Sequence, residues 1–189
     1  GSLEQVLAQR PDVVLTMGGG GRATSLIAPK LGIAAVDLRP ASTIEDVAHN
    51  LRSVAVALGD SGRAQSWLQR LTRLRASAPK QAVDALWLGA GGQTVGSPSI
   101  GADWMRLAGL KQRALSGDRV SLETLLVRPP AILVESHYRS GQMSRGVRWL
   151  NHPVVRGAKS RRVATDGRAW TCMGPLLIGE VERLRAALR

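Results

Sequence analysis

Apolar positions along the chain fall into two periods that alternate. Leu3, Val6 and Leu7 share one helical face up to Arg10-Pro11, and Val13-Val14-Leu15 then form a short apolar strand running into Gly18–Gly21. A short helix over Thr24–Ala28 and a strand over Ile33–Leu38 follow, a βαβ pattern that implies parallel pairing. Ser42-Thr43-Ile44-Glu45 reads as a capping box, opening a helix whose apolar positions Ile44, Val47, Ala48, Leu51, Val54 and Leu58 keep a 3.6 period until Gly59. Arg63–Ser77 is a second amphipathic helix, with Ala64, Trp67, Leu68, Leu71 and Leu74 on one face.

After Pro79 the same grammar restarts. It predicts a strand at Ala85–Leu88, a glycine-rich loop Gly89–Gly101, helices near Asp103–Ala108 and over Ser121–Val127, and a strand at Ile132–Val134. A polar loop His137–Arg145, a strand near Arg162–Ala164 and a final helix Leu176–Leu188 complete the chain, with Asn151-His152-Pro153 as a turn. The restart is also an internal repeat. Leu3-Glu4-Gln5-Val6-Leu7, Pro11 and Val13-Val14-Leu15 recur without gaps, 119 positions later, as Leu122-Glu123-Thr124-Leu125-Leu126, Pro130 and Ile132-Leu133-Val134. Chance matching of common residues is one reading of this. Duplication of an α/β unit is the other, and two such lobes would leave a cleft suited to a ligand. The expectation is an α/β fold of two similar lobes with mostly parallel central sheets: 1–59 as a partial N-terminal lobe, 60–79 as a long connecting helix, and 80–189 as a C-terminal lobe.

Composition narrows the chemistry. The 189 residues carry 26 Lys plus Arg against 14 Asp plus Glu, a net charge of +12, which favours an anionic partner. Arginines are scattered, and the densest run, Lys159–Arg162, reads as a solvated face rather than a nucleic-acid arm. The single cysteine, Cys172, excludes an intrachain disulfide; with no placed His partner it is expected to be a small packed thiol. No apolar run is long enough for a membrane span. The chain has no Phe, one Tyr and five Trp, so a Trp outside an apolar pattern is a ligand-contact candidate, whereas Trp67 and Trp87 sit in apolar patterns and read as core.

The order and spacing of Ser2-Leu3-Glu4-Gln5-Val6-Leu7, Arg10-Pro11-Asp12-Val13-Val14-Leu15, Leu31-Gly32-Ile33 and Ser42-Thr43-Ile44-Glu45-Asp46-Val47 resemble the periplasmic binding proteins of ABC importers for vitamin B12 and ferric siderophores. Gly96, Leu107-Ala108-Gly109, Val120-Ser121-Leu122-Glu123 and Trp170 continue the resemblance into the second half. It implies a two-lobed, non-enzymatic protein with Arg63–Ser77 as its spine. That protein captures a ferric siderophore, haem or corrinoid in the periplasm, needs no cofactor and binds no nucleic acid. The family carries a further segment before the Leu-Glu helix, so the first lobe is expected to be incomplete and ligand binding by this chain weak. The resemblance also implies that Glu4 and Glu123 dock into arginine pockets of the membrane permease; read alone, each also fits a carboxylate in a first helical turn.

In that family the ligand is held by loops at strand ends, here Met17–Arg22, Gly91–Ser99, Ser136–Gln142 and Trp170–Met173. Arg22, Thr94, His137, Tyr138, Arg139 and Trp170 are the candidate ligand-binding side chains. Arginine suits carboxylate or catecholate oxygens, Trp offers an apolar face to a macrocycle, and Tyr138 or His137 could ligate haem iron, though a His or Tyr in a polar loop also fits a merely solvated side chain. A competing class is an NAD-type enzyme: Gly18–Gly21 after a strand with Asp37 ending the next imitates a dinucleotide fingerprint. The short helix, interrupted by Pro29, is a poor Rossmann crossover, and the repeat is left unexplained.

Overall fold

The computed structural model describes residues 3–19, 21–138 and 145–189. The chain divides into two compact units, 1–69 and 70–189. In the first, helix α1 (Leu3–Ala8) leads to strand β1 (Val13–Met17), helix α2 (Arg22–Ile27), a 3₁₀ turn at Ala28–Leu31 and strand β2 (Ala34–Leu38). β1 and β2 pair in parallel, Val13 beside Ala34 and Met17 beside Leu38.

Helix α3 (Ile44–Leu58) follows, and its cap lies one residue later than the sequence pattern suggests. The N-cap is Thr43, whose hydroxyl accepts from Asp46 N–H at 3.1 Å, and Asp46 rather than Glu45 closes the box by accepting from Thr43 N–H at 2.9 Å. The Asp46 carboxylate gathers the hydroxyls of Ser42 and Thr43 as well. These hydroxyl and amide donors hold the Asp46 carboxyl below its ordinary pKa. Gly59 ends the helix in the left-handed region at φ 65°, as its place after the periodic stretch suggests. Helix α4 spans Ser61–Ala76, and the division between the units falls within that range.

The second unit is built on a four-stranded, wholly parallel sheet. Its strands are β3 (Val83–Leu88), β4 (Leu110–Gln112), β5 (Ile132–His137) and β6 (Arg161–Asp166), in the order β4-β3-β5-β6. β3 and β5 are central and nearly continuously buried, which is why they read as unbroken apolar runs. The register pairs Leu86 with Leu133, Trp87 with Val134 and Val134 with Val163. Alternation along the strands therefore sorts side chains between two faces. Leu86, Leu88 and Leu133 pack with Leu125, Leu150 and Val155 from helices α6 (Leu122–Val127), α7 (Arg145–Leu150) and α8 (Pro153–Gly157). Trp87 lies on the other face against Trp170 of helix α9 (Gly167–Cys172), ring centroids 5.7 Å apart, and helix α10 (Leu176–Leu188) packs beside β6 and α9. Helix α5 (Ile100–Leu107) joins β3 to β4.

Arg185 of α10 ties this unit together. Its guanidinium donates to Leu107 O at 2.7 Å, Leu74 O at 2.6 Å and Ser77 Oγ at 2.8 Å, so a single cation sits at the carboxyl ends of α4 and α5. Burial, with Arg189 nearby, lowers the pKa of Arg185.

The repeat is present in three dimensions. α1 and α6 have the same bounds at the offset found in the sequence, and each leads to a parallel strand, β1 or β5, beginning at the matched residue. Strand β4 and helices α7, α8 and α9 were not expected. Helix α9 replaces the loop expected at Trp170–Met173, and Cys172, its last residue, is exposed rather than packed. The run Lys159–Arg162 is not simply solvated, because Arg161 donates to Ala187 O and Leu188 O at the end of α10 and Arg162 pairs with Glu135.

Candidate functional site

A parallel sheet presents its ligand site at the carboxyl ends of its strands, at the point where successive crossovers leave for opposite faces. In the second unit that point lies between β3 and β5. From β3 the chain crosses through α5 to β4, whereas from its neighbour β5 it runs the opposite way through α7 and α8 to β6. The loops leaving β3, β5 and β6 carry the second-lobe residues singled out in the sequence.

Alternation separates two of them. His137 follows Leu133 and Glu135 on the face covered by α6–α8, whereas Tyr138 follows Val134 and Ser136 on the face of Trp87 and Trp170. The His137 side chain is 48% exposed, and its Nε2 lies 3.8 Å from Oε2 of the buried Glu135. Glu135 is held by both arms of Arg162, at 2.6 and 2.9 Å, a geometry that keeps a buried carboxylate paired.

Tyr138 is 46% exposed. Its hydroxyl is 2.6 Å from Thr171 Oγ1, which also lies 3.1 Å from Gly167 O. Either hydroxyl can donate across this contact, and among the described residues no other hydrogen-bond partner of the phenol oxygen is found. Gly167 makes room for this: a Cβ there would stand 2.6 Å from Ser136 Oγ and 2.8 Å from the Tyr138 ring.

Trp170, expected as a ring facing ligand, is 2% exposed. Its Nε1 donates to Thr165 Oγ1 at 2.7 Å, Thr165 donates to Glu180, and Asp166 N–H and Arg183 also donate to that carboxylate, at 2.9 and 2.6 Å. Burial pushes the Glu180 carboxyl up, but the bonds from Arg183, Thr165 and Asp166 together outweigh it and hold the pKa below the ordinary 4.5. Helix α9 turns its apolar side to the core, Ala169 and Trp170 with it, so the indole is a core ring. Thr94 is also committed: its hydroxyl donates to Trp87 O at 2.6 Å and accepts from Gln112 Nε2 at 3.0 Å. The Arg22 side chain and Arg139 lie outside the described residues. Glu4 and Glu123 stand at the second positions of α1 and α6, both exposed.

A cavity of about 590 Å³ opens beside the β3 loop, lined among others by Trp87, Gln93, Ile100, Gly101, Arg119 and Met173. Arg119 and the start of α5 were not singled out in the sequence; the signal was Ser99 ahead of Ile100, a helix cap, and Ser99 Oγ does accept from Ala102 N–H at 3.1 Å. The dinucleotide reading meets a different use of its acid. Asp37 accepts from Thr16 Oγ1 at 2.8 Å and from Gly19 N–H at 3.2 Å, so it closes the loop after β1. Among the described residues no group of three or more His, Cys, Asp or Glu could hold a metal ion, and no helix is long and apolar enough to cross a membrane.

No protein-family model and no curated protein matches the chain. Solved structures do. A periplasmic haem-binding protein from Pseudomonas aeruginosa aligns with 98% of this chain and 75% of its own at 22% identity, with a TM-score of 0.65. The periplasmic haem-binding protein HutB of Vibrio cholerae aligns over 99% and 80% at 18% identity, with a TM-score of 0.72. The haem-binding protein BhuT, solved with two haems, aligns over 100% and 80% at 21% identity, with a TM-score of 0.65. At these identities the shared property is the fold, and these three neighbours are periplasmic haem-binding proteins.

Proposed function

We propose that this chain is the substrate-binding component of a bacterial ABC importer, which takes haem or a related ferric complex in the periplasm and passes it to a membrane permease. The observation that carries the reading is Tyr138. It is a half-exposed phenol at the carboxyl end of a central strand, its oxygen 2.6 Å from Thr171 Oγ1, whose hydroxyl can donate to it, in a fold shared with haem-binding proteins. Phenolate oxygen is a hard donor suited to ferric iron and is one of the protein ligands haem accepts. The +12 charge favours an anionic complex. His137, on the opposite face of the strand, does not share one iron with Tyr138. Glu4 and Glu123 are the proposed permease contacts, as exposed carboxylates at matched positions of the repeat.

The test is a titration with haemin, a ferric catecholate and cyanocobalamin, followed by absorbance and tryptophan fluorescence. Saturable binding of haemin is expected, with an absorbance band that changes in Tyr138→Phe and persists in His137→Ala. Binding of cyanocobalamin alone, or haemin binding that Tyr138→Phe leaves unchanged, would overturn the reading.

A further inference from the structure

At the end of the sheet away from Tyr138, the second unit has a cavity of about 570 Å³. Val83, Leu110, Ile132 and Arg161, the first residues of β3, β4, β5 and β6, line it together with the carboxyl ends of α5 and α10. The lining holds three guanidinium groups, from Arg161, Arg185 and Arg189, and no acidic side chain. Arg185 is partly buried, and burial, with Arg189 nearby, pushes its pKa down, as expected of a cation short of negative charge. Glu182, one turn earlier on α10, is outside the lining and is held by both arms of Arg70, at 3.2 and 2.5 Å. The helix-end carbonyls do not exhaust the donors. Arg161 gives one N–H to Leu188 O and one to Ala187 O, and Arg185 gives one each to Leu107 O, Leu74 O and Ser77 Oγ. Of the five N–H groups of a guanidinium, Arg161 keeps three and Arg185 two without a partner among the described residues. Beside these donors the surface is apolar. Val83 is 46% exposed although it opens a central strand, and Pro79, Ala131 and Leu188 extend the same lining. Cations over an apolar floor match a molecule with an anionic head and a hydrocarbon tail: the head gains charge-assisted bonds and the tail covers exposed carbon.

We propose that this cavity binds an amphiphilic acid, a carboxylate on an alkyl chain, with Arg161, Arg185 and Arg189 around the head and Val83 and Ala131 under the tail. It is a second site and goes beyond the transport reading, because it lies at the amino ends of the strands whereas Tyr138 follows the carboxyl end of β5.

Decanoate is titrated into the full chain by calorimetry below its micellar concentration, beside acetate and decyltrimethylammonium. Saturable binding of decanoate is expected, at least about tenfold tighter than either control, since acetate lacks the tail and decyltrimethylammonium reverses the charge. Absence of decanoate binding, or equal binding of decyltrimethylammonium, would overturn the proposal. Ala131→Glu then sets a carboxylate at an exposed position of the lining, next to Ile132 of β5. It is expected to lower decanoate affinity at least about tenfold, the size of one charge-assisted contact, with the circular dichroism spectrum retained. Undiminished affinity in that variant would put the decanoate elsewhere and overturn the assignment. Arg189→Gln, at an exposed residue, should weaken decanoate binding in the same direction. Retention of the protein on anionic phospholipid vesicles, with no binding of decanoate, would give the arginines to a membrane surface instead and overturn the proposal. Haemin affinity is expected to be equal in Ala131→Glu and the unmodified protein. Loss of the decanoate site therefore leaves the transport reading standing, and failure to bind haemin leaves this site standing.

Discussion

Thr165 does two jobs with one hydroxyl. It accepts from the Trp170 indole and donates to Glu180, which joins the core ring to the buried carboxylate. Thr165→Val keeps the shape and leaves both partners short of a bond, so it should cost about 1–3 kcal/mol, read as a shift in the urea unfolding midpoint. Because Glu180 has a lower pKa folded than unfolded, its contribution is full above the ordinary carboxylate range and is lost as pH falls through the lowered value. The loss of stability on acidification should therefore be shallower in Thr165→Val than in the unmodified protein. A parallel pH dependence in the two proteins would show that the carboxylate does not depend on this hydroxyl.

At the scale of elements, the clamp at Arg185 suggests how α4, α5 and α10 are kept in register. The three acceptors lie on two helix ends and a following serine, where unpaired carbonyls would otherwise face each other. Arg185→Met preserves much of the aliphatic stem and removes every donor; it should cost about 2 kcal/mol or more in chemical denaturation, given charge-assisted bonds of about 1.5–3 kcal/mol each and partial rescue by water. A change below half that value would mean that solvent replaces the guanidinium fully. Elements with a long period were legible from the sequence: α3, α4 and α10, and the central strands whose burial on both faces leaves an apolar run. β4 was missed because only three residues pair, and its middle residue, Lys111, is exposed. α7, α8 and α9, of five or six residues each, were missed, whereas the equally short α1 and α6 were marked by their leucines and by the repeat. Of the site, Tyr138 and His137 were legible as residue types; their separation needed the strand to extend to His137, and the burial of Trp170 needed α9.

For the whole molecule, the two units differ in how much they bury. The first has a two-stranded sheet among the described residues, with Leu15, Met17, Leu26 and Leu31 each about half exposed or more, whereas the second buries Leu86, Leu88, Leu133 and Val134 completely. A two-stranded sheet is marginal by itself. Amide hydrogen exchange should accordingly be faster in β1 and β2 than in β3 and β5. Equal protection across both sheets would contradict this ranking.

The alternation of β5 also sets a reading frame for chemistry. Within Val134–Ser136 a single-residue deletion would send the phenol to the side now held by the imidazole, while every residue type stayed in the chain. A change of cargo in such a protein does not require a new ligand residue. One codon lost or gained in a central strand would exchange an oxygen donor for a nitrogen donor at the same opening, and a comparison that counts only residue identities would not register it.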